Sequence, residues 1–259
     1  IPNQMSALPD GFRRIPLAHR GLHDLTAGRP ENSRAGIAAA IAAGYGIEID
    51  LQLSRDNQAM VFHDYDLGRL TAEKGPVRQR DAADLAQIPL LGGDEGIPDL
   101  PQILDLVAGR VPLLIELKDQ QGQMGASCGT LEAATAAALA GYVGPVAVMS
   151  FNPDMVVQMA QLAPDTPRGI VTCAYTPEDW PLLRAETRAR LRDIPDYEAS
   201  GACFVSHDID DLTAPRLDTL RAKGAAILCW TVRSPKAEAE ARKHADNITF
   251  ERYLPDHPA

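Results

Sequence analysis

Gly46-Ile47-Glu48-Ile49-Asp50-Leu51-Gln52-Leu53-Ser54-Arg55-Asp56-Asn57-Gln58-Ala59-Met60-Val61-Phe62-His63-Asp64 is the stretch on which the fold turns. Its first half alternates apolar and acidic residues, a polar tetrad at 55–58 interrupts it, and an apolar run then ends on a histidine. In an extended chain successive side chains point to opposite faces. Glu48 and Asp50 therefore share one face, while Ile47, Ile49 and Leu51 take the other. A turn at 55–58 sends the second run back as a hairpin arm and brings His63 roughly beside Asp50. Two carboxylates and an imidazole then converge, which suits metal binding and proton transfer better than the outside of a sheet.

Outward from this hairpin, short apolar runs alternate with helical segments that carry their own start and stop signals. Leaving out the return arm that ends at His63, eight parallel strands are expected, near 15–18, 46–51, 112–117, 146–150, 168–173, 202–206, 226–231 and 247–250. Ser33 or Asn32, Asp99, Thr130, Asn152, Thr213 and Ser234 stand where helix caps belong, and Gly44, Gly109, Gly141 and Gly224 where helices stop. Thr176-Pro177 is expected to open a further helix, charged and solvent-facing over 184–193. Strand–helix repeats of this number predict a (β/α)8 TIM barrel of the α/β class, with a doubly wound open sheet as the alternative. The G-x-G-x-x-G fingerprint of a dinucleotide fold is absent. Residues 64–99, rich in glycine with one short helical piece near 81–87, break the alternation. They are expected to form a small irregular insertion over the mouth of one barrel domain spanning 1–259.

The 259 residues, 45% hydrophobic and 23% charged, describe an ordinary globular protein. A formal charge of −10 argues against nucleic acid or an acidic membrane as partner and leaves a small anionic substrate open where local cations gather. The most apolar long stretch, 133–149, contains Gly141, Gly144 and Pro145 and divides into a helix and a strand, so no membrane span is expected. Cys128, Cys173, Cys203 and Cys229 show no C-x-x-C spacing, and three of them sit in apolar runs as small buried hydrophobes. A reducing, cytoplasmic location follows as an expectation. No signal peptide is visible; Met5 is read as the native start, with 1–4 as added residues.

In such a barrel the carboxyl ends of the strands face the active site. His19-Arg20 follows the first strand, Glu48 and Asp50 lie on the second, Glu116 and Lys118 end the third, Ser150-Phe151 end the fourth, and Trp230 lies near the end of the seventh. Three carboxylates without a histidine or cysteine cluster suit a hard divalent cation such as Mg2+ or Ca2+; the competing reading is a salt-bridge network with Arg20 and Lys118. His19 and His63, converging on one acidic centre, read as an acid and a base, and Arg20 with Lys118 supplies the cations a phosphate needs.

His19-Arg20-Gly21, Pro30-Glu31-Asn32-Ser33, Glu48-Ile49-Asp50, Ser54-Arg55-Asp56 with His63-Asp64, Glu116-Leu117-Lys118, Ser150-Phe151 and Trp230-Thr231-Val232 together resemble the glycerophosphodiester phosphodiesterase family, in family order over about residues 15–251. The resemblance implies a (β/α)8 barrel that hydrolyses small-molecule glycerophosphodiesters. It implies one divalent cation on Glu48, Asp50 and Glu116, with Mg2+ or Ca2+ first and Mn2+ as an alternative. His19 and His63 would be the acid–base pair, Arg20 and Lys118 the phosphate contacts, Glu31 a supporting residue, and Phe151 and Trp230 pocket aromatics. The last strand departs from the family's T-D by reading Thr249-Phe250-Glu251. His23 and the His207-Asp208 pair match no family motif. Two alternatives are a phospholipase D-like sphingomyelinase or lysophospholipase on the same barrel, and a silent barrel that only binds metal and phosphate.

Overall fold

A computed structural model of the chain describes residues 7–257; the expected start at Met5 lies outside them. Among the described residues nine strands form one sheet: β1 Leu17–His19, β2 Gly46–Leu53, β3 Ala59–Val61, β4 Leu113–Leu117, β5 Val146–Ser150, β6 Arg168–Thr172, β7 Phe204–Asp208, β8 Ala226–Val232 and β9 Asn247–Phe250. All but β3 pair in parallel, and β1 bonds to both β2 and β9, which closes an eight-stranded barrel. The open sheet is thereby excluded. The helices are α1 Gly11–Arg14, α2 Arg34–Ala43, α3 Ala82–Leu85, α4 Leu100–Val107, α5 Thr130–Leu139, α6 Pro153–Leu162, α7 Ala185–Arg192, α8 Pro215–Ala222 and α9 Pro235–Ala241.

Strand alternation divides the core in two. Ile47, Ile49, Leu51, Ile115, Val148, Ile170, Val205 and Ile227 face outward into the layer packed by the helices. Leu17, Leu114, Ala147, Met149, Val171, Phe204 and Leu228 fill the barrel interior. Gly169 belongs to the same interior: a Cβ there would stand 2.4 Å from the Phe204 ring, so the missing side chain is what lets the phenyl group cross the barrel. Burying both faces of a parallel sheet is what produces near-continuous apolar strands. The acids on β2 and β4 are therefore exceptions that need a reason.

Beyond the barrel rim β2 continues and pairs antiparallel with β3, Leu51 opposite Val61 and Gln52 opposite Met60. Phe62 N–H donates to Asp50 O at 3.0 Å, which fixes the register that carries His63 back over the acids. Met60 and Phe62 pack with Leu67, Val77, Leu85, Ile88, Leu90 and Ile97 in a small core of their own beside the barrel.

Ser33, Asp99, Asn152 and Ser234 cap α2, α4, α6 and α9 through their side chains as expected. Thr130 and Thr213 do not: Thr130 is the first residue of α5, behind a Gly129 with φ 75°, and α8 starts after an uncapped Ala214. The helix expected from Thr176 is also absent before Ala185. Pro181 lacks an N–H and restricts Trp180, so 177–183 form turns instead, and the Trp180 ring lies 5.1 Å from that of Phe151.

Candidate active site

Glu48, Asp50 and Glu116 are 2%, 1% and 6% exposed, and one oxygen from each lies within 4.8 Å of the others. Strand register explains the cluster, because Asp50 stands opposite Glu116 and Glu48 opposite Leu114 on adjacent strands, with the acids on the inner face. Lys118 Nζ reaches Asp50 Oδ1 at 2.8 Å and Glu116 Oε1 at 2.7 Å. Arg20 Nε lies 3.2 Å from Asp50 Oδ2. Asp50 also accepts from Asn32 Nδ2 at 3.0 Å. Burial alone would raise the Asp50 carboxyl, but Lys118, His63 and Arg20 outweigh it and hold it well below the usual range. Glu48 has no such cover. Its Oε2 takes only the Arg20 backbone N–H at 3.1 Å, and burial, then Asp50 and Glu116, push its carboxyl well above the usual range.

The donor chemistry fits a divalent cation. Three buried carboxylates share one inner-face cluster, and Glu48, with no Lys or Arg side chain in contact, has the most to gain from a bound cation. An all-oxygen donor set matches Mg2+, Ca2+ or Mn2+ better than a thiophilic metal.

Arg20 is placed by strained backbone. Its φ of 56° is left-handed, which turns its N–H onto Glu48 and its guanidinium back over Asp50 and Glu31. The next residue must be small: a Cβ on Gly21 would meet Gly36 backbone at 2.9 Å. His19, one residue earlier, holds Glu251 Oε2 through Nδ1 at 2.7 Å, and its Nε2 lies 4.0 Å from Glu48 Oε2. Burial drives the imidazole pKa down to about 4 against the hydrogen bond it donates to Glu251, so the ring is neutral at pH 7. Glu251 is in turn held by Arg233 Nε at 2.7 Å and lies 3.4 Å from His23 Nε2.

His63 Nδ1 meets Asp64 Oδ1 at 2.6 Å. Asp64 is bound by Arg69, which also spans both oxygens of Glu31 at 2.9 Å, and Glu31 accepts from Arg20 Nη1 at 2.8 Å. One ion-pair chain thus runs from His63 through Asp64, Arg69, Glu31 and Arg20 to Asp50. A cavity of about 170 Å3 receives His19, Arg20, Glu48, His63, Glu116, Lys118, Phe151 and Trp230 together. His63, Glu116, Lys118 and Phe151 also line a wider outer pocket of about 570 Å3 with Tyr65, Met124 and Trp180. Phe151 stacks edge-on to Trp230 at 5.7 Å, and Trp230 Nε1 donates to Ser206 O at 3.1 Å.

Every site residue expected from the sequence lines this cavity or its ion-pair chain. Glu251, Asn32, Arg69 and Trp180 join them, although the sequence alone assigns none of the four a role in the site. Glu251 occupies the place where the family's T-D was missed, which was the signal available. His207 points away from the barrel interior, buried between Thr172 Oγ1 at 2.6 Å and Asp211 Oδ2 at 3.1 Å, and takes no part.

A closed (β/α)8 barrel with carboxylates, paired cations and two imidazoles at the carboxyl ends of its strands has the build of a phosphodiester hydrolase. The sequence model of the Glycerophosphoryl diester phosphodiesterase family matches residues 19–251, and the chain belongs to that family as a glycerophosphodiester phosphodiesterase enzyme. The relative named "Putative glycerophosphodiester phosphodiesterase YhdW" of Bacillus subtilis (strain 168) is 27% identical over 234 residues, covering 86% of this chain and 88% of that one. Among solved structures, a phosphodiesterase of Oleispira antarctica in complex with the product sn-glycerol-3-phosphate superposes with a TM-score of 0.73 at 23% identity, over 92% of this chain and 93% of that one. A glycerophosphodiester phosphodiesterase of Parabacteroides distasonis gives 0.70 at 22% identity, over 91% and 92%. These structural likenesses support the barrel. Among the described residues no helix is long and apolar enough to cross a membrane.

Proposed function

We propose that the site takes one divalent cation on Glu48, Asp50 and Glu116, with Mg2+ or Ca2+ first and Mn2+ as the alternative, and cleaves glycerophosphodiesters to glycerol 3-phosphate and an alcohol. The observation that carries this reading is that His19 and His63, each oriented by a carboxylate, open onto one cavity with Arg20, Lys118 and the acid cluster. A bound cation supplies charge neutralisation at the phosphoryl oxygens. Arg20 and Lys118 position the phosphate and oppose the charge that builds on it.

His19 is the base in this reading. Its Nδ1–H donates to Glu251, which leaves Nε2 with a free lone pair, and burial keeps that ring neutral at pH 7. It takes the proton of the glycerol 2-hydroxyl as that oxygen bonds to phosphorus. His63 stands between the inner cavity and the outer pocket and gives a proton to the alcohol as its P–O bond breaks. Water then opens the cyclic phosphate with the proton transfers reversed, leaving glycerol 3-phosphate. Residues 64–99, which contribute Asp64, Tyr65 and Arg69, act as an insertion over the mouth that shapes the alcohol's exit.

Purified protein with each of Mg2+, Ca2+ and Mn2+ should release choline or ethanolamine from the corresponding diester. His19→Ala and His63→Ala should each lose on the order of 100-fold or more in kcat. Near-normal turnover by both variants would remove the acid–base assignment. A long-chain lysophospholipid assayed in parallel separates the phospholipase D-like sphingomyelinase or lysophospholipase alternative.

A further inference from the structure

Two hydroxyls in the inner cavity have no work in the chemistry above. Ser206 Oγ and Thr249 Oγ1 belong to side chains 0% and 1% exposed, both line the cavity of about 170 Å3, and neither has a hydrogen-bond partner. They come from the inner faces of β7 and β9, on either side of β8, whose Trp230 lies over the same space. Met149 and Val171 make the adjoining wall apolar. Buried hydroxyls without partners are costly to keep and normally find one. A small space with two unpaired hydroxyls and an apolar wall matches a short polyol, whose carbons and oxygens need both.

We propose that this cavity is the glycerol subsite and sets the direction in which the diester binds: the terminal hydroxymethyl group of glycerol bonds to Ser206 Oγ and Thr249 Oγ1, and the esterified alcohol points into the outer pocket. The inference rests on the reaction proposed above and adds the orientation and the selecting residues. The inner cavity is about 170 Å3, the smaller of the two spaces, and suits the short glyceryl end of the diester. The outer pocket is about 570 Å3 and carries Tyr65, Met124 and Trp180. His63, Glu116, Lys118 and Phe151 border both spaces, so a phosphate between them has glycerol on one side and the alcohol on the other. An acyl group on the terminal glycerol oxygen would remove the hydroxyl these side chains recognise.

The test compares ligands that differ only in that hydroxymethyl group. With Mg2+ present, calorimetric titration should show sn-glycerol 3-phosphate binding at least about tenfold tighter than 2-hydroxyethyl phosphate. In Ser206→Ala/Thr249→Val the two affinities should converge, while Thr249→Ser, which keeps a hydroxyl, should retain the preference. The same collapse should appear in the ratio of kcat/KM for glycerophosphocholine over 2-hydroxyethyl phosphocholine, which keeps the attacking hydroxyl. Equal affinities in the unaltered protein, absent glycerol 3-phosphate binding, or an undiminished preference in the folded double variant would each overturn the proposal. Failure to hydrolyse any diester would count against the reaction instead, and the binding pair would still decide the subsite.

Discussion

Glu251→Gln keeps the size of the side chain and an acceptor for His19 Nδ1–H, and removes the charge. In the structure this carboxylate meets Nδ1 at 2.7 Å with both partners largely shielded, 13% and 9% exposed. Its pKa is depressed: burial alone would raise it, but the hydrogen bonds from His19 and Arg233 and the nearby His23 prevail. A charge-assisted hydrogen bond of this kind is worth ~1.5–3 kcal/mol. It strengthens as His19 takes a proton in the transition state, so most of that energy should appear in kcat. At ~1.4 kcal/mol per tenfold, the expected loss is about ten- to 100-fold, with little change in KM. Loss of the Glu251 charge also removes a contribution that raises the His19 pKa against burial, so the acid limb of the pH–rate profile should move to lower pH. A residue serving only packing would not move that limb. Steady-state turnover of glycerophosphocholine across pH decides the matter. A variant with kcat within about twofold of the parent and an unmoved limb would refute the role of Glu251 as the residue that positions His19.

Three further outcomes follow from the same geometry. The folded-state pKa of Glu48 lies above its unfolded value, so metal-free protein should lose stability as pH rises above about 4.3, and added Mg2+ or Mn2+ should raise Tm more at pH 8 than at pH 5. Glu48→Gln should abolish that difference, and a Tm shift independent of pH in the parent would count against the cation site. Gly169→Ala puts a Cβ 2.4 Å from the Phe204 ring and should cost ~1–3 kcal/mol, read as a drop in denaturation midpoint; an unchanged midpoint would mean the barrel interior is looser than described. Cys128 is exposed with its pKa lowered by Thr130, whereas burial pushes Cys173 up to about 11 and Cys229 to about 12. Native protein should react with a thiol reagent at Cys128 alone, and all four cysteines should react after unfolding.

The barrel was legible because its signals are local. Strand alternation separates Ile47 and Ile49 from Glu48 and Asp50, and four of the side-chain caps stand where the sequence places them. The hairpin register was legible too, since a turn at 55–58 leaves one way for His63 to come back. What escaped depends on contacts across the chain. Glu251 reaches His19 only because β9 closes against β1, 232 positions away in sequence, and the departure from the family's T-D marks its position without naming that partner. Arg69 joins Asp64 to Glu31 from within a segment of turns whose path has no periodicity to read. Trp180 enters the pocket wall because Pro181 stops a helix that the flanking residues would otherwise support.

The central claim is that this barrel hydrolyses a glycerophosphodiester with a divalent cation on Glu48, Asp50 and Glu116. Phosphorus NMR of glycerophosphocholine incubated with chelator-treated protein, before and after adding back Mg2+, Ca2+ or Mn2+, tests it most directly. The chelated sample should be silent, and the glycerol 3-phosphate resonance should grow with at least one added ion. Undiminished hydrolysis in the chelated sample, or no product with any of the ions, would contradict it.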